Sequence, residues 1–491
     1  MNSLNQEMVR NLLHVLPEMV WCGFGVVLML LQPFVKNRQA LTFIAMLGAA
    51  AGTVVGYFGI PGTGFSGLVQ FDTFSLFVHC LVGLSTFLVI LASDSYLERE
   101  NLDGAEFYAL ILFATAGMGV LASAQELLTA FIGLEMSSIS SYILAGYRRD
   151  SIKASEAAVK YFLLGSFATA FFLYGIALVY GVTGSTNLAT LADADPGSLL
   201  LRLGLTLILV GLGFKVAAAP FQIWTPDVYE GAPTPVTALF SAGPKAATFA
   251  LLLRIFSTVH AATEYWFWAF WILAVLTMFA GNLGALLQAN VKRMLAYSSI
   301  AHAGYTLVAF AAVTSMKPDQ ETGAAPAYAA VLFYLASYAL VSVGAFTVVS
   351  EIGGRGERYL TLDDYAGLGT RQPFAAAGLS LFLLSLLGLP ITAGFFGKLY
   401  IFSAAIKSKL LWLAIAMAVN SIIGAYYYFR VIVVMYMREH KGSVPPDANL
   451  GLSPTAAMVV AVAAIITLYL GLAPNHILGI VLSQNLILSA H

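Results

Sequence analysis

The stretch "FKVAAAPFQIWTPDVYEGAPTP" at residues 214–235 puts a lysine, Lys215, at the end of an uncharged apolar run and follows it with four prolines. Proline has no backbone N–H and breaks the interior of a helix. At membrane depth, broken helices are tolerated only where protein or a water-filled cavity surrounds them. The stretch therefore predicts an interrupted transmembrane helix that carries an ammonium group at its break.

The composition of the whole chain agrees with a membrane setting. Of its 491 residues, 59% are hydrophobic and 10% are charged, whereas soluble domains carry about 25% charged residues. The sequence thus predicts an all-α polytopic protein of the lipid bilayer. A net charge of -1 provides no basic surface for nucleic acid. The two cysteines, Cys22 and Cys80, stand singly, so haem c, zinc and iron–sulfur ligation are not expected in this chain.

Apolar runs of membrane-spanning length recur along the chain and predict about fourteen helices. Lys and Arg concentrate in one alternate set of the connecting loops, which places both termini on the outside of the membrane. The predicted spans are 15–34, 39–59, 73–93, 105–122, 124–146, 156–181, 200–230, 235–258, 265–288, 294–313, 326–350, 373–407, 410–436 and 456–483.

A second interruption, "LSLLGLPITAGFFGKLYIF" at residues 384–402, lies five helices after the first. A unit of five helices that is repeated must insert in the opposite orientation, and interrupted helices at matching positions of two halves are typical of transport sites. We therefore expect helices 4–8 and 9–13 to form two inverted repeats, with helices 7 and 12 discontinuous. The predicted divisions are 1–104, 105–258, 259–436 and 437–491.

Four ionisable residues, Glu135, Lys215, Lys245 and Lys398, fall inside predicted spans. Each costs roughly 2.5–3.5 kcal/mol at a helix centre, so they must face protein or water. Burial disfavours the charged form of a lysine and a nearby carboxylate favours it. Lys215 with Glu135 as its partner is thus suited to load and release a proton, with unpaired carbonyls at the break admitting water. The alternative is a set of static ion pairs that hold helices together.

Three further residues are less distinctive. His302, in "SSIAHAGY", is either a second relay group, since histidine titrates near pH 6.5, or a packing histidine. Lys160 either joins the relay or extends towards the membrane surface. His79 has no charged neighbour in the sequence and is expected to pack. The motif "GTGFSG" at 62–67 has no strand before it or acid at the required distance, so dinucleotide binding is not expected there.

Four stretches resemble the antiporter-like membrane subunits of respiratory complex I, the bacterial NADH:quinone oxidoreductase. They are "AVKYFLLGSFATAFFLYGIALVYG", "KVAAAPFQIWTPDVYEGAPTPVTALFSAGPKAA", "NVKRMLAYSSIAHAGY" and "LSLLGLPITAGFFGKLYIF". The second stretch is more similar to the branch of that family called subunit N than to its paralogues L and M. The lysine at position 398, where other members have glutamate, fits the same branch.

The resemblance implies a fold of fourteen helices and a role for each buried residue. Glu135 and Lys215 correspond to a carboxylate–lysine pair, Lys245 to a central bridging lysine, and Lys398 to an exit-side lysine. Lys160 corresponds to a lysine that tunes the pair. His302 falls in the hydrated axis that links the two halves.

The resemblance also implies the setting of the chain. NADH, FMN, iron–sulfur clusters and quinone would be handled by partner subunits, with M and K as neighbours, A, H, J and L further away, and a peripheral redox arm. The chain would lie in the bacterial inner membrane and move protons outward as part of a translocase. Two alternatives remain open: a subunit of a multi-component cation/proton antiporter, and a non-pumping scaffold subunit.

Overall fold

The computed structural model describes residues 2–192, 194–195, 197–258, 263–315, 321–439, 451–476 and 479. Almost all of the described chain is helical, with one short hairpin. The elements are α1 (Asn2–His14), α2 (Leu16–Leu31), α3 (Arg38–Tyr57), β1 (Gly62–Gly64), β2 (Val69–Phe71), α4 (Thr73–Glu100), α5 (Ala105–Ser123), α6 (Leu127–Ala145), α7 (Ile152–Thr183), α8 (Leu188–Ala192), α9 (Leu199–Val216), α10 (Thr225–Gly231), α11 (Thr234–Thr258), α12 (Thr263–Leu286), α13 (Val291–Thr314), α14 (Glu321–Gly353), α15 (Leu368–Arg371), α16 (Pro373–Leu387), α17 (Ala393–Lys407), α18 (Leu411–Met437) and α19 (Pro454–Leu472).

The predicted all-α, multi-span architecture is confirmed. Within the described ranges, twelve helical spans are long and apolar enough to cross a membrane, or thirteen if α1 and α2, which bend by 73°, count as one span. The predicted twelfth span is filled by two fifteen-residue helices, α16 and α17. The end of the predicted last span lies outside the described residues, since α19 ends at Leu472.

Both predicted interruptions are present. Helix α9 ends at Val216, and Ala217 then takes the left-handed conformation with φ of 62°. A 3₁₀ turn over Phe221–Trp224 and the seven-residue α10 complete the span. In the twelfth span α16 ends at Leu387, and Gly388 has φ of 92°, where a side chain would strain the backbone. Each break therefore lies beside the lysine that the sequence places there.

The core of the bundle is built by three helices. The spanning windows of α11 and α14 are buried over their full length, and that of α13 nearly so. Less than half of the corresponding window is buried in each of α3, α7, α12, α18 and α19. A helix that is apolar all round belongs inside a large bundle. The interior helices α11 and α13 carry Lys245 and His302.

Two connections fold over the ends of the bundle. The "GTGFSG" motif forms β1 and its turn, and β1 pairs antiparallel with β2, Gly62 opposite Phe71. At the other end, the mixed charges in the sequence of the loop between α14 and α16 predict either a solvated loop or a docking face for a partner. Its Glu357 and Asp364 are instead buried against this chain, so the prediction of a solvated loop is wrong for these two residues.

Candidate functional site

Lys215 lies at the end of α9 and is 4% exposed. Its Nζ donates hydrogen bonds to Ser138 Oγ on α6 at 2.9 Å and to Tyr161 Oη on α7 at 3.1 Å. The ring centroids of Tyr161 and Tyr142 lie 5.2 and 5.8 Å from Nζ, within the range of cation–π attraction. Lys215 is therefore held by neutral oxygens and ring faces.

Glu135, the expected partner of Lys215, lies one helical turn before Ser138 on α6. It acts electrostatically on Lys215, but no ion pair joins them in the described part of the chain. Its Oε1 is buried and has no hydrogen-bond partner among the described residues. The neighbouring Ile132 and Ile139 are exposed, so Glu135 lies at the edge of an outward face of α6. Lys215 therefore contacts α6 at Ser138, one turn after Glu135, and does not make the direct contact with Glu135 that we expected.

The break after Lys215 is closed by side chains. The Trp224 Nε1 donates to the Phe214 carbonyl at 2.9 Å, and the Ala219 N–H donates to Thr277 Oγ1 at 2.8 Å. The Trp224 ring also stacks on Tyr161, with centroids 4.5 Å apart. The expectation that this break leaves its carbonyls unpaired is therefore wrong for Phe214. Trp224 links the position of the break directly to the tyrosine that binds Lys215.

Lys245 lies in the centre of the bundle on α11 and is 3% exposed. Its Nζ donates to the backbone oxygen and to Oγ of Ser299 on α13, at 2.9 and 2.5 Å. Both acceptors belong to one residue and neither carries a charge. Ser298, the preceding residue of α13, bonds Tyr428 Oη of α18 at 2.5 Å.

His302 joins that group of hydroxyls. Its Nε2 lies 3.1 Å from Tyr428 Oη, and its Nδ1 lies 2.6 Å from Tyr334 Oη of α14. The Tyr338 ring stacks on the imidazole at 4.9 Å. A cavity of about 10 Å³, close to the space that one water needs, lies between His302 and the second break at Ser385 and Gly394. His302 is thus a hydrogen-bonded histidine beside a small cavity.

Lys398 lies just after the second break, on α17. Its Nζ donates a hydrogen bond of 2.9 Å to the carbonyl of Leu387, the last residue of α16. The same atom lies 4.8 Å from the ring centroid of Tyr305 on α13. The charges of Lys398 and Lys245 both act on His302. The structure therefore brings Lys245, His302 and Lys398 into one electrostatic group around α13.

Lys160 belongs to a different place. Its side chain is 39% exposed and pairs with Asp227 of α10 at 2.7 Å and with Glu156 of its own helix at 2.6 Å. Arg293 of α13 bridges Asp227 and Glu230 at 2.7 and 2.9 Å. A cavity of about 150 Å³ opens among Lys153, Glu156, Ala157, Asp227, Glu230, Gly231 and Arg293. We call this cavity the charged vestibule; Lys160 stands beside it, one residue before Tyr161.

A second ionic group holds the loop between α14 and α16. The Glu357 carboxylate accepts from Lys292 at 2.8 Å and from the Thr234 backbone and hydroxyl at 2.8 and 2.7 Å. Arg148 lies 3.6 Å away. Burial would raise the pKa of Glu357, but Lys292, Thr234 and Arg148 together hold it below its usual value. The loop is thus tied to α11 and α13.

The structure places the predicted residues in three groups: Glu135 with Lys215, Lys245 with His302 and Lys398, and Lys160 at the vestibule. No direct hydrogen bond joins Lys215 to Lys245 among the described residues. Sequence reasoning missed the hydroxyls that bind these groups, Ser138, Tyr161, Tyr334 and Tyr428. Polar residues at membrane depth were the available signal, but hydroxyls are too common there to single these out.

His79 packs in the interior as predicted and is fully buried. Its structural neighbour is charged, however, because its Nε2 lies 2.7 Å from Glu18 Oε1 of α2. Glu18, 5% exposed, was not singled out from the sequence. An acid directly after Pro17 in an apolar run was the signal that could have found it.

Known relatives agree with this architecture. The chain matches the family described as "NADH:quinone oxidoreductase/Mrp antiporter, TM" over residues 124–424. It is 47% identical over 481 residues to NADH-quinone oxidoreductase subunit N 1 of Solibacter usitatus, with 96% of each chain covered. It is 48% identical over 489 residues to NADH-quinone oxidoreductase subunit N 2 of Koribacter versatilis, again with 96% of each covered.

Solved structures show the same fold. A chain of respiratory complex I from Thermus thermophilus superposes with a TM-score of 0.78 at 36% identity, over 94% of this chain and 98% of that one. A chain of the Mrp complex from Dietzia superposes with a TM-score of 0.82 at 20% identity, over 96% and 97%, which speaks for the fold alone. The fold is thus that of the antiporter-like membrane subunits. The chain belongs to the NADH:quinone oxidoreductase/Mrp antiporter transmembrane family, and within it to the subunit N branch.

Proposed function

We propose that this chain is a proton-translocating membrane subunit of NADH:quinone oxidoreductase and that Glu135, Lys215, Lys245, His302 and Lys398 carry the proton. The observation that carries the proposal is the environment of the three lysines. Lys215 and Lys245 are buried and Lys398 is partly buried, and each donates only to uncharged oxygens within the described residues. No carboxylate of the described residues forms an ion pair with these lysines, so each can exist with or without its extra proton.

The route begins at the charged vestibule. Tyr161 follows Lys160, which stands beside the vestibule, and the Tyr161 hydroxyl accepts a hydrogen bond from Lys215 further inward. Lys245, Ser299 and the hydroxyls around His302 form the middle, and Lys398 at the second break forms the far end. Two gaps, between Lys215 and Lys245 and between His302 and Lys398, need water or side-chain motion to be crossed. Lys160 acts at the vestibule and not within the buried route.

Glu135 influences the charge of Lys215 without contacting it; it lies one helical turn before Ser138, which binds Lys215. Because Glu135 lies at an outward edge of α6, a neighbouring subunit placed there can change its surroundings. A carboxylate brought closer favours the ammonium form of a lysine, and its withdrawal favours release of the proton. Driving one charge across a membrane requires about 2.3 kcal/mol per 100 mV, which the redox partners would supply.

The setting proposed with this function is the bacterial inner membrane, with both termini outside and subunits M and K as neighbours. NADH, FMN, iron–sulfur clusters and quinone would bind partner subunits. The divisions 105–258 and 259–436 would be inverted repeats, and the two helix breaks, each beside a lysine, support that division.

The test uses the complete complex reconstituted in liposomes, with Lys398→Ala and Lys215→Ala compared with Lys407→Ala. Lys407 lies on the same helix as Lys398 but at its exposed end. We expect NADH-driven proton transport to fall about tenfold or more in the first two variants, since a barrier higher by only about 1.4 kcal/mol has that effect. Assembly, and NADH oxidation by an artificial acceptor, should persist.

The outcomes separate the alternatives. An unchanged ratio of protons to electrons in Lys215→Ala and Lys398→Ala would mean a scaffold subunit. Co-purification with small antiporter subunits in place of flavin and iron–sulfur proteins would mean a cation/proton antiporter.

A further inference from the structure

The N-terminal helices contain a buried ionisable pair that the proposed relay does not use. Glu18 lies in the first turn of α2, and His79 lies in the second turn of α4. The His79 Nε2 and Glu18 Oε1 atoms are 2.7 Å apart, with side chains 0% and 6% exposed. Trp21, also on α2, stacks on the imidazole with ring centroids 5.8 Å apart. Helix α2 therefore contacts His79 through the side chains of Glu18 and Trp21.

The hydrogen bonds fix the number of protons in this pair. The His79 Nδ1 lies 2.6 Å from the Ser75 carbonyl oxygen. A carbonyl can only accept, so Nδ1 carries a hydrogen. The 2.7 Å contact between Nε2 and Glu18 then needs one more proton, on the nitrogen or on the carboxyl group. Without that proton, two acceptors with unshared electron pairs would face each other at hydrogen-bond distance.

Other ionisable groups surround the pair without satisfying it. His14, 2% exposed, has no partner for either ring nitrogen among the described residues, and the second carboxyl oxygen of Glu18 has none either. Asp72 bonds Ser75 and pairs with Arg254 of α11 at 3.0 Å. Cys22 of α2 is close enough to interact with Glu18. The charged residues of α3 and α5, Arg38 and Glu106, lie in the first turns of those helices, away from the pair. The pair must therefore hold its proton by itself.

We propose that Glu18 and His79 form a proton-binding site that fastens α2 to α4 at the end of the bundle nearest the N-terminus. With the shared proton bound, the two side chains attract and Trp21 stays stacked. When the proton leaves, the contact becomes repulsive and α2 is released at its bend from α1. The ligand is a single proton, and the site is separate from the lysines of the proposed relay.

Proton counting gives the pH dependence. Above about pH 6.5 the unfolded chain holds Glu18 as a carboxylate and His79 as a neutral ring. The folded pair binds one proton more than the unfolded pair. Stability therefore falls as the pH rises above that value, by about tenfold in the folded-to-unfolded ratio per pH unit, until the folded pair loses its proton. Between about pH 4.3 and 6.5 both states bind the same number, and this dependence disappears.

The experiment is unfolding of the purified full chain by sodium dodecyl sulfate at a series of pH values. In Glu18→Gln the amide can donate to Nε2 of a neutral His79, which keeps the contact without a titratable proton. We expect its folded-to-unfolded ratio to lack the tenfold-per-pH-unit decline that wild type shows above about pH 6.5. The control Glu126→Gln removes another buried acid, one that bonds Thr129 and Thr186 and no histidine, and should keep the wild-type slope.

A second variant covers the case in which Glu18→Gln does not fold. Replacing both Glu18 and His79 with leucine removes both titrating groups, and apolar replacement of a buried pair is often tolerated. The proposal predicts that this variant also loses the slope. A wild-type slope retained in either folded variant, or lost in Glu126→Gln, would overturn it. The assay involves no proton transport, so its result is independent of the proposed pumping.

Discussion

Substitution of Ser299 with alanine tests the centre of the proposed route. The Lys245 ammonium has two acceptors, the hydroxyl of Ser299 at 2.5 Å and its carbonyl at 2.9 Å. A hydrogen bond to a charged group contributes about 1.5–3 kcal/mol. Ser299→Ala removes the hydroxyl and keeps the carbonyl, so the ammonium form of Lys245 becomes less favourable by that amount. The ratio of protonated to neutral Lys245 should then fall by about 10- to 150-fold.

The assay is the ratio of protons transported to NADH oxidised by the complex in liposomes, with assembly checked by native electrophoresis. The matched control is Ser241→Ala. Ser241 is equally buried and lies one turn before Lys245 on α11, but its hydroxyl bonds the Ala238 carbonyl of its own helix. We expect Ser299→Ala to lower the ratio and Ser241→Ala to leave it unchanged. Equal ratios in both variants would refute the role given to Lys245.

Two further changes test the ends of the structure. Glu357→Gln leaves Lys292, which is fully buried, without its carboxylate, and should destabilise the chain by about 3–5 kcal/mol. Because the pKa of Glu357 is held below its usual value, its stabilisation is complete above about pH 4.3 and is lost as the pH falls through the lower value. Unfolding of Glu357→Gln should accordingly depend less on acid than that of wild type, and an unchanged acid profile would count against the ion pair. Gly394→Ala puts a Cβ in steric overlap with the Ser385 carbonyl oxygen at the second break, so we expect coupled proton transport to be lost. Gly23→Ala, with nothing within 4 Å of its added Cβ, is the control and should behave as wild type in the same transport assay.

The sequence was a good guide to depth and length, because lipid imposes both. Apolar runs must cross a fixed thickness, so the spans and the two breaks beside Lys215 and Lys398 could be predicted from hydropathy and proline positions. The rotation of each helix about its own axis could not be predicted from these features. Glu135 was expected to touch Lys215, whereas Ser138, one turn further along the same helix, makes the contact.

Contacts between residues that are distant in the chain could not be predicted either, because they also depend on how the helices are oriented. Glu18 and His79 are 61 residues apart, and Lys292 and Glu357 are 65 apart. Each pair depends on how separate helices pack, and nothing in the local pattern around either residue specifies that packing. The packing of His79 could consequently be predicted, but its contact with Glu18 could not. The loop around Glu357 was expected to be solvated for a similar reason.

The two phenols that bind His302 make its hydrogen bonds reversible in direction. A tyrosine hydroxyl can donate or accept, so the series Tyr334, His302, Tyr428, Ser298 can point either way along its length. After a proton has hopped through, every O–H and N–H in the series faces backwards. Restoring the starting polarity needs rotation of the hydroxyls and a flip of the imidazole ring that exchanges its two nitrogens, with the helices in place. Such rotations are far faster than helix movements, so recovery of this segment would not set the turnover rate.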